Sequence, residues 1–593
     1  MPHPHATDHL IIANCSGFYG DRFSAMKEMV DGGEIHVLTG DYLAELTMAI
    51  LFKSYQKSPA SGYASTFLKQ LEQVLESCLE KGVRVVSNAG GLNPKGLAEA
   101  IEKMANSMGL SPSIAWVEGD NLMGRLAELE KEGETFTHLD KGTPLAQSPM
   151  HPITANAYLG GWGITEALNQ GADIVIGGRL ADAALVSGPS AWHFGWERDE
   201  WNKLAGAMAA GHVIECGTQA TGGNFSYFQD IPSWKKVGFP LAIMEQDGSA
   251  TITKHEETGG LVSVGTVTAQ LLYEIESPAY LTPDVTAHFD TLELSQTGEN
   301  RVRISGCKGS APSSTAKVCI NTFGGYRNTV SVLLTGLHIE EKARIVEEML
   351  FESLGGKERF AEVETQLLRS GHTSPQTMEE AMNLLRITVR DSDEKKVGRA
   401  FSSKVVELAL SSIPGFNLTS PPAPAIPEIV HWPALVAKKH LCEAVHLGKR
   451  TFLIDPVMGE PPARPTPDTQ KTKPLLSDTL PMAIGELFAA RSGDKGGNAN
   501  LGVWGEDGPS FDFLKSHLTP KRLKELLPDL APYPIERWSL ANLKAVNFYI
   551  RGILGDGVAA SSKIDGQAKT LGEYLRCRTL EIPTSLAKEA DPL

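Results

Sequence analysis

Several features that often assign a protein quickly are missing from this chain. No hydrophobic run is long enough to span a bilayer. The opening MPHPHATDHLIIANCSG has neither the basic stretch nor the long apolar core of a signal peptide. Together these absences predict a soluble, cytoplasmic protein. Positive charge is in deficit, with 55 Lys and Arg against 71 Asp and Glu and a formal net charge of −16. That balance argues against nucleic acid and against an anionic membrane as partners, and an anionic substrate then needs locally placed cations. Cysteine is sparse, seven in 593 residues with no C-x-x-C pair, so neither a disulfide framework nor a zinc knuckle is indicated.

Signature motifs are missing too. No G-x-G-x-x-G follows the first apolar run, and the chain has no G-x-x-x-x-G-K-[ST], H-E-x-x-H, EF-hand loop or G-x-S-x-G. A nicotinamide dehydrogenase, a P-loop phosphotransferase, a zincin and an ordinary α/β-hydrolase are disfavoured. No cofactor and no metal is predicted.

What is present is organised around residues 154–186, TANAYLGGWGITEALNQGADIVIGGRLADAALV. Thr154 reads as an N-cap, Gly171 as the end of the helix that follows, and Ala172 to Ile176 as a buried strand stopping at Gly177 and Gly178. The same grammar repeats upstream. Strands are predicted at His9–Ala13, Glu34–Leu38, Val83–Val86 and Ser113–Val117. Helices are predicted from Asp21-Arg22 to about Val30, at Leu43–Leu51, and from Asn93-Pro94 to Gly109. Alternating strands and helices predict an α/β fold, a mostly parallel N-terminal sheet with helices on both faces.

Loops that follow parallel strands share one edge of the sheet, where open α/β folds bind ligands. That edge would gather Asn14, Ser16, Asp21, Arg22, Asp41, Asn88, Asp120, Gly178, Arg179 and Asp182. Bare glycine lets a ligand approach the backbone, and Arg179 offers a planar fork for a carboxylate or phosphate. A tight corner fixed by an Arg–Asp pair is the competing reading.

Further on, Trp192, His193, Phe194, Trp196 and Trp201 read as core before they read as a pocket wall. His212, Glu215 and Cys216 are close in sequence and are candidates for acid, base or nucleophile, with His212 and Cys216 on one face at helical spacing, and the glycine loop 258–266 is poised at a helix start. From about Asp290 the period changes. A hairpin at 292–305, strands at Ala316–Asn321, Thr329–Leu334 and Leu385–Val389, and helices at Glu340–Leu354 and about Lys396–Leu410 predict an α+β portion separate from the first sheet. Residues 419–478 hold SPPAPAIPE and GEPPARPTPDTQKTKP and read as an extended Pro-rich linker. The last unit carries RSGDKGGNAN, which suits an anion-holding nest built with Arg491 and Lys495 or a loop in which Asp494 pairs its neighbours. The expected division is 1–289, an α/β domain with the cleft; 290–418, the α+β portion; 419–478, the linker; and 479–593, a C-terminal domain.

NCSGFYGDR, DYLAELTMAIL, NAGGLNP, NAYLGGWGITEALNQGADIVIGGR, GHVIECGTQATGGN, GGLVSVGTVTAQLLYEI and RSGDKGGNANLGV, in this order, resemble the acyclic terpene utilization AtuA-like family. The resemblance implies that the C-terminal domain is a small ferredoxin-like α/β domain carrying the RSGDKG segment. It also implies a setting in the breakdown of acyclic terpenes through branched acyl-CoA intermediates, and it carries no residue-level mechanism.

Carboxylates, Arg, Asn and backbone donors in one cleft suit proton abstraction beside a carbonyl or thioester. The expected reaction is a cofactor-independent lyase or hydratase step on a branched acid or its CoA thioester. Asp21 or Asp41 is the expected base, with Asn88 and Arg22 facing the developing charge, Arg179 holding a carboxylate or CoA phosphate, and Asp182 orienting Arg179. Asn14, Ser16, Asp120, Gly178, Arg491 and Lys495 are expected to bind substrate. An acyl-CoA or organic-acid binding subunit and a metal-assisted hydrolase remain alternatives, and a homo-oligomer is left open.

Overall fold

The computed structural model describes residues 8–460, 463–469 and 478–587. Four apolar runs become the strands β1 (His9–Asn14), β2 (Val37–Gly40), β3 (Arg84–Ser87) and β4 (Ile114–Glu118). β5 (His151–Ala157) leaves for a second sheet. β6 (Ile174–Gly177) returns between β3 and β4, so the parallel core runs β1-β2-β3-β6-β4. The step back to β6 reverses the direction of progression, which puts later helices on the opposite face. Helices Ala25–Asp31, Ser65–Glu72 and Pro94–Ser107 cover one face through Met29, Phe67, Leu97 and Ile101. Helices Trp162–Asn169, Ala184–Phe194 and Trp201–Ile214 cover the other through Ile164, Val186 and Met208. Trp192 and Trp196 belong to this second core, with Phe194 and Trp201 packed against it. Local signals hold in places: the Asn93 side chain accepts from the Gly96 N–H with Pro94 in the first turn, and Gly171 sits at φ +86°.

The sheet continues beyond β1 with antiparallel β7 (Pro240–Glu245) and β8 (Ala250–Lys254). β9 (Ala279–Leu281) and β10 (Thr286–His288) begin a small separate sheet. The hairpin of β11 (Glu293–Gly298) and β12 (Arg301–Ser305) forms, but it extends the first sheet instead of opening the second. Val302 and Ile304 pair with Ile252 and Ala250 of β8 and bury themselves in the same core. β13 (Lys308–Ser310) then completes the small sheet against β10.

The second sheet is built on β14 (Thr315–Thr335), one strand of 21 residues that merges the two expected there. A bulge between Phe323 and Gly325 interrupts its register, with Gly325 at φ +106°. Its later half pairs with β16 (Met382–Asp391), beyond which lies β15 (Glu362–Leu368), and with β17 (Phe416–Leu418). Its earlier half lies between β5 and β18 (Ile426–Ala437). Helices Ile339–Leu354 and Arg399–Ser411 pack on the sheet through Val346, Leu350, Phe401 and Val405.

This sheet corrects the N-cap assigned to Thr154, which lies within β5 and accepts a hydrogen bond from Asn321 Nδ2 at 3.0 Å. The helix begins only at Trp162. Its N-terminal N–H groups are met from far along the chain, by Asp284 at Gly161 (2.6 Å) and by Glu443 at Gly163 (2.8 Å).

The Pro-rich linker also needs correction. β18 lies inside it, and β19 (Glu443–Leu447) and β20 (Arg450–Ile454) add to the first sheet beside β4, which brings that sheet to eleven strands. The prolines concentrate at the ends of 419–478, and the stretch between them is rich in strand-forming residues. Residues 461–462 and 470–477 lie outside the described residues. Residues 463–469 dock on the C-terminal domain: the Trp538 indole donates to the Pro465 carbonyl (3.1 Å) and the Asp468 N–H to the Arg537 carbonyl (2.7 Å).

β21 (Thr479–Ala483) leads into that domain. Its sheet of β22 (Ala489–Lys495), β23 (Asn498–Trp504), β24 (Ile535–Leu540) and β25 (Ala545–Ile550) is antiparallel throughout, and β26 (Thr579–Pro583) returns to β21. RSGDKGGNAN is thus a hairpin, with Lys495 opposite Asn498 and Gly496-Gly497 at the tip. The hairpin is fastened to the first domain, where Asn500 Nδ2 donates to the Leu272 carbonyl (2.5 Å) and Asn500 Oδ1 accepts the Glu274 N–H (2.9 Å).

Candidate functional site

Three parts of the chain meet in one polar chamber: the edge of the first sheet, one face of the second, and the β22–β23 hairpin. At the first-sheet edge, Gly177 ends β6 and the corner turns at Gly178. A Cβ on Gly178 would fall 2.6 Å from Asp120 Oδ1, so this glycine admits Asp120. Asp120 Oδ2 accepts the Arg179 N–H (2.9 Å) and Asn156 Nδ2 (2.7 Å), and burial pushes its carboxyl up. With its backbone held, the Arg179 side chain lies 98% buried over the Tyr158 ring, 4.2 Å from the centroid. Its Nη1 donates to Asp182 Oδ1 (2.5 Å), and its Nε has no partner among the described residues.

Asp41 and Asn88 come to the same place. Asn88 Oδ1 accepts the Tyr42 N–H (2.9 Å), and its Nδ2 donates to Asp41 Oδ1 (2.6 Å). Asp41 Oδ1 also accepts the Leu43 N–H (3.0 Å), while Oδ2 accepts no hydrogen bond among the described residues. Burial, and after it the Asp182 charge, raises the Asp41 carboxyl well above the usual range, against the opposing pull of Arg179 and Asn88.

The second wall is a strand face. Lys317, Cys319 and Asn321 alternate on one side of β14, and His431 projects from β18 beside them. Lys317 Nζ donates to Glu45 Oε1 (3.1 Å), which also accepts the Tyr158 hydroxyl (2.8 Å), and Asn321 Nδ2 donates to the Glu45 carbonyl (3.1 Å). Burial alone would raise Glu45, but Lys317, His431 and Arg179 hold it well below the usual carboxylate range. Lys317 is raised despite burial by Tyr158 and Glu45. Glu45 and Lys317 each keep 30% of their side-chain surface accessible. His431 Nδ1 stands 3.7 Å from the Cys319 sulfur, its Nε2 has no partner among the described residues, and burial lowers the imidazole to about 4.

The third wall joins helix Trp201–Ile214 to the hairpin. Glu215 Oε1 meets His212 Nδ1 at 3.1 Å, and its buried Oε2 has no partner among the described residues. Burial and the charges of Asp182 and Glu274 push Glu215 well up, whereas Lys495 and Arg179 pull it down. Burial, then Lys495, lowers His212 to about 4. Glu274 holds a left-handed φ of +55°, which is uncommon for a residue with a side chain. Arg491 is buried with its guanidinium 4.0 Å from the Tyr273 ring centroid and donates to Gln219. Asp494 forms no ion pair with its neighbours, and burial, Glu274 and Glu45 raise its carboxyl.

Residues 10–447 match the family model for the acyclic terpene utilisation family protein AtuA, and residues 482–581 match that for the AtuA ferredoxin-like domain. The chain belongs to the AtuA family. No curated protein matches it. Family membership implies a role in acyclic terpene utilisation. Every wall of the chamber falls within these two matched regions, and the ferredoxin-like domain supplies one of them.

Of the residues expected at the AtuA cleft, Asp41, Asn88, Arg179, Asp182, Arg491 and Lys495 come together by geometry and charge. The others are engaged in the scaffold. Asn14 Nδ2 donates to the Ile214 and Glu215 carbonyls and Ser16 Oγ to that of Phe18. Asp21 accepts the Gly17 and Arg22 N–H groups, and Arg22 is taken by Glu28 (2.6 Å) and the Val237 carbonyl. Nor does Asp21 open a helix, which starts at Ala25. The 258–266 glycine loop is closed by its own cap, Ser263 accepting the Thr266 N–H. His212 turns to Glu215 instead of pairing with Cys216. Glu45, Tyr158, Lys317, Cys319 and His431 are not among the residues expected from the sequence. The legible signal was the alternation Lys317-Val-Cys319-Ile-Asn321, polar at every second position of an otherwise apolar strand. Among the described residues no three His, Cys, Asp or Glu side chains gather as metal ligands, and no helix is long and apolar enough to cross a membrane.

Proposed function

We propose that this AtuA-family protein is a lyase or hydratase that acts on a branched acid or acyl-CoA through an enolate-type intermediate. The reading is carried by Asp41: a buried carboxyl raised well above the usual carboxylate range, with both of its hydrogen bonds on Oδ1 and none on Oδ2 among the described residues. A desolvated carboxylate whose proton affinity is raised suits proton transfer beside a carbonyl. Arg179 and Lys317 supply positive charge for the developing enolate, and fixed cations in a water-poor site are effective there. Asp182 holds the Arg179 fork, and Asn88 fixes the Asp41 carboxyl. Glu215, raised and with a free Oε2, is placed to return a proton to a leaving hydroxyl.

The test is solvent deuterium exchange next to the carbonyl of branched enoyl-CoA and 3-hydroxyacyl-CoA substrates, in wild type, Asp41→Asn and Arg179→Lys, with thermal midpoints measured alongside. Exchange in wild type that falls on the order of a hundredfold in both variants, with both still folded at the assay temperature, is the expected result. Absence of exchange on every such substrate overturns the reading.

A further inference from the structure

A second space is lined by residues next in sequence or register to Glu45 and His431 of the chamber. A cavity of about 320 Å³ lies between helix Glu45–Lys57, the start of β18 and the 558–559 turn of the C-terminal domain. Leu46, Ala49, Ile50, Ile429, Val558 and Ala559 make its walls apolar. Of its two cations, Arg327 is already committed, donating to the Ser561 carbonyl at 3.0 Å with Glu428 at 3.9 Å, and Lys53 carries a long aliphatic stem. Leu46 and Ile50 remain 40% and 39% exposed, one helical turn apart.

The cavity and the chamber share their supports. Ile429 and His431 alternate onto one face of β18, about 7 Å apart along the strand. Leu46 directly follows Glu45, the residue that binds Lys317. An elongated molecule with its polar end at Lys317 and Arg179 would therefore lay its next carbons along Leu46 and Ile429. The size falls within the range of small-molecule sites.

We propose that this cavity is the hydrocarbon subsite of the chamber, taking the alkyl chain of a medium-length carboxylic acid or its thioester; this rests on the chamber being the substrate site. The ferredoxin-like domain then helps to set chain length through Val558 and Ala559.

The experiment is calorimetric titration of the full chain with straight-chain acids from butanoate to dodecanoate and with their CoA thioesters. Affinity should rise about fourfold per added methylene until the cavity is full, then level off. Ile50→Trp and Val558→Trp fill the space from opposite walls. Each should weaken the longest ligands at least tenfold, leave the butanoyl ligand unchanged and move the plateau to shorter chains. Affinity independent of chain length in wild type, no binding of any member of the series, or a length profile that both variants leave intact overturns the proposal. Because the readout is binding, length dependence without deuterium exchange would sink the lyase reading alone, and exchange without length dependence would sink the subsite alone.

Discussion

The two main walls of the chamber hold their charges in different ways. On the first-sheet wall, Arg179 is neutralised by Asp182 three residues along, within a corner that β6 and Asp120 already fix. On the second-sheet wall, Lys317 rises from the middle of a strand and finds Glu45 across the fold. The first arrangement is local and 98% buried on its cationic side; the second is long-range and partly accessible. A local pair stands once its corner is made, whereas a long-range pair reports whether both sheets are in place. The two walls also have opposite electrostatic signs of strain, with Asp41 raised on one and Glu45 lowered on the other.

Removing Arg179 is the most damaging way to test this contrast. Arg179→Met strips Asp182 and Asp41 of their shared cation in a buried setting, and a loss of about 3 kcal/mol is expected, since breaking a buried pair leaves uncompensated charge. Lys317→Met should cost about 1 kcal/mol, because the pair is partly accessible and Glu45 keeps the Tyr158 hydroxyl. Chemical denaturation of both variants checks the order, and equal losses would erase the distinction between the walls.

The pH dependence sharpens it further. Asp41 is raised in the folded state, so its contribution is present below its unfolded value near 3.8 and is lost as pH rises through the folded value. Glu45 is lowered, so its contribution is present above about 4.5 and is lost as pH falls through the folded value. Asp41→Asn should therefore raise stability at neutral pH relative to wild type, and Glu45→Gln should lower it, with the second difference shrinking in acid. Thermal midpoints from pH 3 to 8 give the result; slopes of the same sign in the two variants would contradict the assignment.

A smaller effect is expected away from both walls. Asp21 closes its own loop on Gly17 and Arg22, so Asp21→Asn should cost about 1 kcal/mol or less and leave turnover near wild type. A large loss of turnover at an unchanged midpoint would return Asp21 to the site.

Much of the first wall was legible because its signals are local. Apolar runs followed by Gly-Gly or Asn-Ala-Gly-Gly corners locate β3, β6 and their loops, and the shared edge follows from topology. The second wall was not legible in the same way. Which face of β14 meets Tyr158, and that β5 and β18 flank it, depends on pairings between distant segments that no local pattern announces. Composition also misled at 419–478, where proline at both ends obscured three strands between them. Polar residues after parallel strands are common as loop fasteners, which is why Asn14, Ser16 and Arg22 were overcounted as ligand contacts.

Strand β5 sits within the first α/β region by sequence and within the second sheet by pairing. During synthesis it emerges long before β14, and an unpaired strand edge recruits other chains. The N-terminal region thus cannot finish its own surface as it leaves the ribosome; it stays open at β5 until β14 has been made. A fragment ending at residue 289 would carry that open edge permanently, so dividing this chain for expression at the boundary its periodicity suggests should yield aggregates where the full chain does not.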